Sequence, residues 1–347
     1  MPKDIHLTAA DIRSLRTENP NQRIRDFATT HGLSEAAVLD AHIGEGVTPI
    51  TADLTAALAR VPRFGQVMAL TRNEHVVSEV HGEYGEYRAG ERAGMILNRP
   101  IDMRYFPRHF VRGFAVERHT DDGPRHSLQF FDAAGDAMHK VHLTAASDAE
   151  PWADVVEQLR VAAPVGDFEP RRAIEPAKEN HDKADRLREQ WAAMTDTHQF
   201  LGLVDRLKMN RLGAYRVAGA PFVRQLDAGA VLTALEQSAV QEVPVMTFVG
   251  NHGCIQIHTG TPQTTKVMGP WFNILDPGFN LHLKTDPIAE VYAVEKPTRR
   301  GTALSVEAFD AMGGLILQIF GVRTRDEDFY EGWNHIVRDL PTAAEGL

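Results

Sequence analysis

Residues 250–260 read GNHGCIQIHTG and put two histidines and the chain's only cysteine within eleven residues. Thiolate and imidazole are ligands that zinc prefers, and a structural zinc site takes four of them in a tetrahedron. The stretch supplies His252, Cys254 and His258, and His282 of NLHLK offers a fourth. On a strand, alternate residues share a face, so Cys254, Gln256 and His258 would line one side and Ile255 and Ile257 the other. Asn251 and Gly253 fall in the preceding turn. Two readings follow: a zinc centre, which would make the chain a zinc-dependent enzyme, or a packed, hydrogen-bonded sheet face.

A further histidine stands in a different setting. In WAAMTDTHQFLGLVDRL (191–207), Asp196 followed by Gln199 has the spacing of a helix N-cap with its capping-box partner. His198 then falls in the first turn, where the positive helix end favours neutral imidazole, the form that ligates a metal. Phe200, Leu203, Val204 and Leu207 make a stripe that a helix would bury. A first-turn histidine can equally be a solvated or capping residue, and the local pattern leaves both open.

The elements that must position these side chains occur twice. Shifting the chain by 178 residues sets Asn73 against Asn251, Gly82 against Gly260, FAVER (114–118) against YAVEK (292–296) and SLQFFDAAG (127–135) against SVEAFDAMG (305–313), without a gap. In each copy helical patterns come first: Ala9–Arg16, Gln22–His31, Glu35–Ala41 and Ala52–Arg60, then Lys183–Met194, Thr197–Leu207, Leu212–Val217 and Gly229–Gln237. Short β-branched and aromatic runs follow, punctuated by Gly, Pro, Asn and Asp. They include FVRGFAVER, the stretch 243–258 and two hairpins turning at DAAGDA and DAMGG. The expected fold is α+β: a tandem duplication of a domain with N-terminal helices and a large, mostly antiparallel sheet. The expected boundaries are a first repeat at 1–160, a linker at 161–176 with Pro164, Pro170 and Pro176, and a second repeat at 177–347. DEDFYEGWNHIVRDL (326–340) should close the chain as an amphipathic helix. The repeat also bears on the opening stretch. Copy one has Val76, Ser78 and Val80 where copy two has Cys254, Gln256 and His258, so the shared Asn and Gly are fold elements and the sheet-face reading is favoured.

Composition narrows the classes. A hydrophobic content of 43% with 24% charged residues is that of a globular chain. A net charge of -10 argues against general nucleic-acid binding. No apolar run is long enough to span a membrane, MPKDIHLTAADIRSL lacks a signal core, and one cysteine suits a reducing cytoplasm. There is no GxGxxG nucleotide fingerprint, hence no sign of a built-in reductase.

NHGCIQIHTG, MGPWFNILDPGFNLHL, the RNE of MALTRNEHVV, IDMRYFPRH and SLQFFDAAGDAMHKVHL together resemble the HemS/ChuS/PhuS (HmuS) family of cytoplasmic hemin transport or hemin-degrading proteins of bacterial iron acquisition. The resemblance runs from about residue 20 to about 325. It implies haem (iron protoporphyrin IX) as the ligand and His198 as its proximal iron ligand in the second repeat. Pro20 stands opposite His198 in the duplicated register, so only copy two can ligate there. Gly202, one turn beyond, would leave room for a flat ligand, against a helix cost of about 1 kcal/mol. The resemblance further implies Arg104 of IDMRYF as a distal arginine holding water or oxygen near iron. Arg211, Lys296 and Arg323 would serve the propionates, with Phe248, Gln318 and Phe320 lining the pocket. Some relatives carry tyrosine where Phe320 stands. Without the resemblance, Arg104 reads as a strand-end arginine pairing with Asp102, and the other cations as surface residues.

The expected function is a cytoplasmic haem-binding protein that accepts imported haem and traffics or sequesters it, with a haem oxygenase or the inner-membrane haem importer as partner. The alternative is a haem-degrading, oxygenase-like enzyme in which Arg104 and His198 act as catalytic residues. Neither nucleic acid nor membrane insertion is expected.

Overall fold

The computed structural model describes residues 7–121, 123–163, 167–323 and 328–343. MPKDIH, Pro164 of the expected linker and the first two residues of the expected closing helix lie outside the described residues. The helices of the first half are α1 (Ala9–Glu18), α2 (Ile24–Thr30), α3 (Glu35–Asp40), α4 (Leu54–Leu58) and α5 (Trp152–Leu159). Its strands are β1 (Val47–Ile50), β2 (Gly65–Arg72), β3 (Val76–Glu83), β4 (Gly94–Leu97), β5 (Asp102–Tyr105), β6 (Arg112–Thr120), β7 (Gly123–Phe131) and β8 (Ala137–Ser147). The second half holds α6 (Ala184–Ala192), α7 (Gln199–Arg206), α8 (Arg211–Ala218), α9 (Ala230–Val240) and α10 (Tyr330–Asp339). Its strands are β9 (Val223–Leu226), β10 (Val245–Gly250), β11 (Cys254–Gly260), β12 (Thr265–Met268), β13 (Trp271–Asp276), β14 (Phe279–Lys284), β15 (Ile288–Thr298), β16 (Gly301–Asp310) and β17 (Leu315–Gly321).

The chain divides into two compact units. One comprises Met1–Arg72, Glu79–Arg172 and Asn251–Gln256; the other comprises Asn73–Ser78, Ala173–Gly250 and Ile257–Leu347. In the first, strands run in the order β1-β6-β7-β8-β2; in the second, β9-β15-β16-β17-β10. Neighbouring strands within these runs all pair antiparallel. The duplication holds at the level of register. Val67 faces Leu143 as Val245 faces Gly321, and Val116 faces Ser127 as Val294 faces Ser305. Gly94 faces Tyr105 as Phe272 faces Leu283, and the bulge at Phe130/Phe131 recurs at Ala308/Phe309. The copies part at the first strand, where Ile50 faces Gly113 but Leu226 faces Val291, a two-residue slip.

The first-copy helices and the hairpins turning at DAAGDA and DAMGG form as expected, within a residue or two at most ends. One helix was not anticipated. α5 buries Trp152, Val155, Val156 and Leu159, an i, i+3, i+4, i+7 stripe. It is the first-copy counterpart of α10, which buries Trp333, Ile336 and Val337. In the second unit, α6, α7 and α8 pack Trp191, Phe200, Leu203, Val204, Leu212 and Tyr215 against Tyr292, Val294 and Phe309 of the sheet.

The paired asparagines explain the turns they occupy. Asn251 Oδ1 accepts from the N–H of Gly253 (2.9 Å) and Cys254 (3.0 Å), while Nδ2 donates to the carbonyls of Arg72 and Met138, each at 2.9 Å. Asn73 does the same in the other unit: Oδ1 takes the N–H of His75 and Val76, and Nδ2 reaches the carbonyls of Gly250 and Ile316. Each side chain thus satisfies four backbone groups that the turn would otherwise leave buried and unpaired. No helix among the described residues is long and apolar enough to cross a membrane.

Candidate functional site

The sheet of the second unit presents one face on which most of the sequence-derived residues meet. Directly opposed residues in antiparallel strands point to the same side, and residues two apart repeat it. Phe248 faces Gln318, Ser305 faces Phe320, Glu307 faces Gln318, and Tyr292 faces Glu307. Lys296, two pairs further along β15 in the same phase, joins them. Phe248, Lys296, Gln318 and Phe320 therefore share a face with Ser305 and Glu307. The Phe248 and Phe320 rings touch at 4.9 Å between centroids.

α8 brings Arg211 and Tyr215 to this face, one turn apart. The centre is Glu307, which is fully buried. Its Oε1 accepts from Lys296 Nζ at 2.7 Å and from Ser305 Oγ at 2.8 Å. Its Oε2 accepts from Arg211 Nη1 at 3.0 Å and from Tyr215 Oη at 2.7 Å. Lys296 also donates to Tyr215 Oη at 3.0 Å and lies over the Phe200 ring of α7 at 4.9 Å. Burial alone would raise the Glu307 pKa, but Lys296 and Arg211 hold it down at about 2. Burial brings the Lys296 ammonium down to about 8 despite the pull of Glu307. Two cations around one carboxylate leave an excess of one positive charge in the cluster.

The resemblance pointed to Arg211 and Lys296, and the sequence reading passed over Glu307 and Tyr215. The signal was present: a charged residue inside the apolar run SVEAF, in phase with Ser305.

His198 is the residue before α7. The expected capping box does not close: the helix begins at Gln199 with His198 as an N-cap that makes no side-chain bond, so the imidazole precedes the first turn. Gln199 Oε1 accepts from the N–H of Thr195 (2.9 Å) and Asp196 (3.3 Å), and Asp196 Oδ1 accepts from the N–H of His198 (2.8 Å) instead of that of Gln199. The same Oδ1 contacts His198 Nδ1 at 2.7 Å. These bonds from His198 lower the pKa of Asp196. The imidazole itself is 91% exposed. Beside it Leu201 is more than half exposed, and a Cβ placed on Gly202 would meet only Arg206, so this face of α7 is open and partly apolar. The loop is tied to the sheet where Arg299 N–H donates to the Thr195 carbonyl at the tip of the β15–β16 hairpin. Arg323 lies by the same hairpin, near Gly301, and is held by Asp328 at 3.4 Å and the Tyr330 ring at 5.0 Å. It is therefore apart from the Glu307 cluster.

Arg104 belongs to the first unit, on β5 opposite Met95. Its Nη1 donates to the Asp102 carboxylate and to the Met103 carbonyl, the pairing that local sequence suggested.

The opening Cys–His stretch is engaged elsewhere. Cys254 is fully buried, bonds to the Met138 carbonyl at 3.2 Å, and has its thiol pKa pushed up to about 12 by burial. His252 pairs with Asp132 at 3.0 Å. His258 stacks on Phe279 at 3.7 Å, with burial taking its pKa down to about 4. His282 Nδ1 meets Asn273 Oδ1 at 2.7 Å. Among the described residues no three His, Cys, Asp or Glu side chains converge as metal ligands would.

A family model described as the haemin-degrading HemS/ChuX domain matches the chain twice, over residues 32–159 and 208–340. The chain belongs to the HemS family. The two matches of the HemS domain coincide with the two copies of the fold. Hemin transport protein HmuS of Yersinia pestis is 34% identical over 327 residues, covering 94% of both proteins. The crystal structure of holo-PhuS, a heme-binding protein from Pseudomonas aeruginosa, superposes with a TM-score of 0.91 at 38% identity, covering 97% of this chain and all of that one. ChuS, an E. coli heme oxygenase, superposes at 0.85 with 29% identity, covering 94% of this chain and 98% of that one.

Proposed function

We propose that this chain is a cytoplasmic haem-binding protein that accepts imported haem and traffics or sequesters it, with haem held in the second repeat (177–347). The observation that carries this is His198. An exposed imidazole with one nitrogen tied to a carboxylate, beside an open and partly apolar helix face, suits axial ligation of a flat metal complex. In this reading His198 binds iron, Arg211, Lys296 and Arg323 face the propionates, and Phe248, Gln318 and Phe320 line the pocket. The role of Arg104 as distal arginine rests on the resemblance of IDMRYF. Bound haem would supply the iron centre for any oxygen chemistry. A haem oxygenase or the inner-membrane importer is the proposed protein partner.

The test is a haem titration of the wild type and His198→Ala, followed in the visible spectrum. The variant should shift the Soret band and lose haem faster, with the remaining contacts sustaining residual binding, and added imidazole should partly restore the spectrum. His252→Ala and His258→Ala should leave axial ligation unchanged. A silent His198→Ala beside a His258→Ala that removes the ligand would overturn the assignment.

The likeness to an E. coli heme oxygenase favours a second reading, haem degradation. Incubating the haem complex with an electron donor under air, with and without catalase, and identifying the products separates enzymatic ring opening from peroxide bleaching.

A further inference from the structure

We infer that Asp196 is a positioning residue that fixes the tautomer and orientation of His198 for metal ligation, an inference that rests on the proximal role proposed for His198. One carboxylate oxygen, Oδ1, touches both the backbone N–H of His198 (2.8 Å) and its ring Nδ1 (2.7 Å). A carboxylate has no proton to give, so Nδ1 must be the donor. In the neutral ring Nε2 is then the nitrogen with the free lone pair, the one available to a metal. The backbone contact sets where the carboxylate sits relative to the ring, and the ring contact sets which way the ring turns.

Asp196 is held in its turn. Gln199 Oε1 accepts the N–H of Asp196 at 3.3 Å and of Thr195 at 2.9 Å, and the Thr195 carbonyl accepts from Arg299 of the β15–β16 hairpin at 3.0 Å. The sheet therefore positions the loop, the loop positions the carboxylate, and the carboxylate positions the imidazole. As a salt bridge alone the pair would mean little, since His198 is 91% exposed and surface ion pairs contribute close to nothing. Its value lies in the ligand it prepares. A ring donating to a carboxylate carries more negative charge on Nε2, binds iron more strongly and favours the ferric state.

The test compares haem-loaded full-length wild type, Asp196→Asn and Asp196→Ala. Asparagine keeps an acceptor for the backbone N–H of His198, but it lacks the charge. It thus separates the turn's backbone bond from the electronic effect. Three readouts are followed: the iron–histidine stretching band of the ferrous protein by resonance Raman, the haem midpoint potential, and the haem off-rate. Asp196→Asn should move the band to lower frequency and raise the potential. Asp196→Ala should go further, with haem loss faster by about 10- to 100-fold. An unmoved band and potential in both variants, in a protein whose band disappears in His198→Ala, would overturn the inference and leave the proximal assignment standing. A band that survives His198→Ala would instead overturn the assignment beneath it.

Discussion

Glu307 sets the electrostatics of the sheet face in the second unit. It has no exposure, and its two oxygens are shared among Lys296, Arg211, Tyr215 and Ser305. Burying charges is unfavourable, and the cluster persists because every charge in it has a partner. Glu307→Gln should therefore destabilise the protein by about 3 to 5 kcal/mol, read from the denaturant midpoint, because Lys296 and Arg211 lose their counter-charge. Adding Lys296→Met to that variant should recover part of the loss. The acid limb follows from the same residue. Its pKa is about 2 in the folded state against an ordinary 4.5, so its contribution is fully present above pH 4.5 and is lost as pH falls toward 2. Stability of Glu307→Gln should change less than wild type across that window, and an equal slope would show that Glu307 is not the group responsible. The cations were legible in the sequence only through family resemblance, because a lone Lys or Arg is usually a surface residue. Glu307 went unread because its strand had been identified by its apolar residues, and the repeat gives no help: Gln129 occupies its place in copy one.

At the scale of elements, the turns before β3 and β11 do the most with the fewest atoms. Four backbone groups depend on Asn251, and net contributions near 1 kcal/mol for each hydrogen bond place Asn251→Ala at about 2 to 4 kcal/mol of lost stability. Asn251→Asp keeps the acceptor for Gly253 and Cys254 but gives up the donor to Arg72 and Met138, so it should unfold between wild type and alanine. A loss below about 0.5 kcal/mol in Asn251→Ala would mean that solvent replaces these bonds. The sequence already identified this asparagine as architecture, because it recurs at position 73 while the cysteine and histidine do not. It also drew attention to Asp196 and Gln199, which bond in the turn ahead of α7, but set the helix start two residues early. It did not reveal α5, an eight-residue helix between a strand and a linker, although its stripe matches that of α10.

At the scale of the whole molecule, the two sequence repeats and the two compact units are not the same partition. The repeats are contiguous in sequence, and their common register was legible because 178 residues separate equivalent positions through most strands. The units exchange short segments: Asn251–Gln256 belongs with the first, and Asn73–Ser78 with the second. No local pattern announces this, because each exchanged segment reads as an ordinary turn and strand. The consequence can be tested by dividing the chain at 172/173. Residues 1–172 alone would lack Cys254 and Gln256, both with no exposure, the bond from Gln256 Nε2 to the Ala69 carbonyl (3.1 Å), and all four bonds of Asn251. Residues 173–347 alone would lack buried Val76 and Ser78, the bonds of Asn73 to Gly250 and Ile316, and the His75–Asp310 pair at 3.2 Å. Losses of this kind amount to several kcal/mol, against a total stability of about 5 to 15 kcal/mol for a natural domain. Each fragment should consequently be poorly soluble or melt without a cooperative transition, whereas the two produced together should copurify as a folded pair. Two fragments that each melt sharply on their own, and do not copurify, would show that the exchanged segments are dispensable and that each repeat folds as an independent domain.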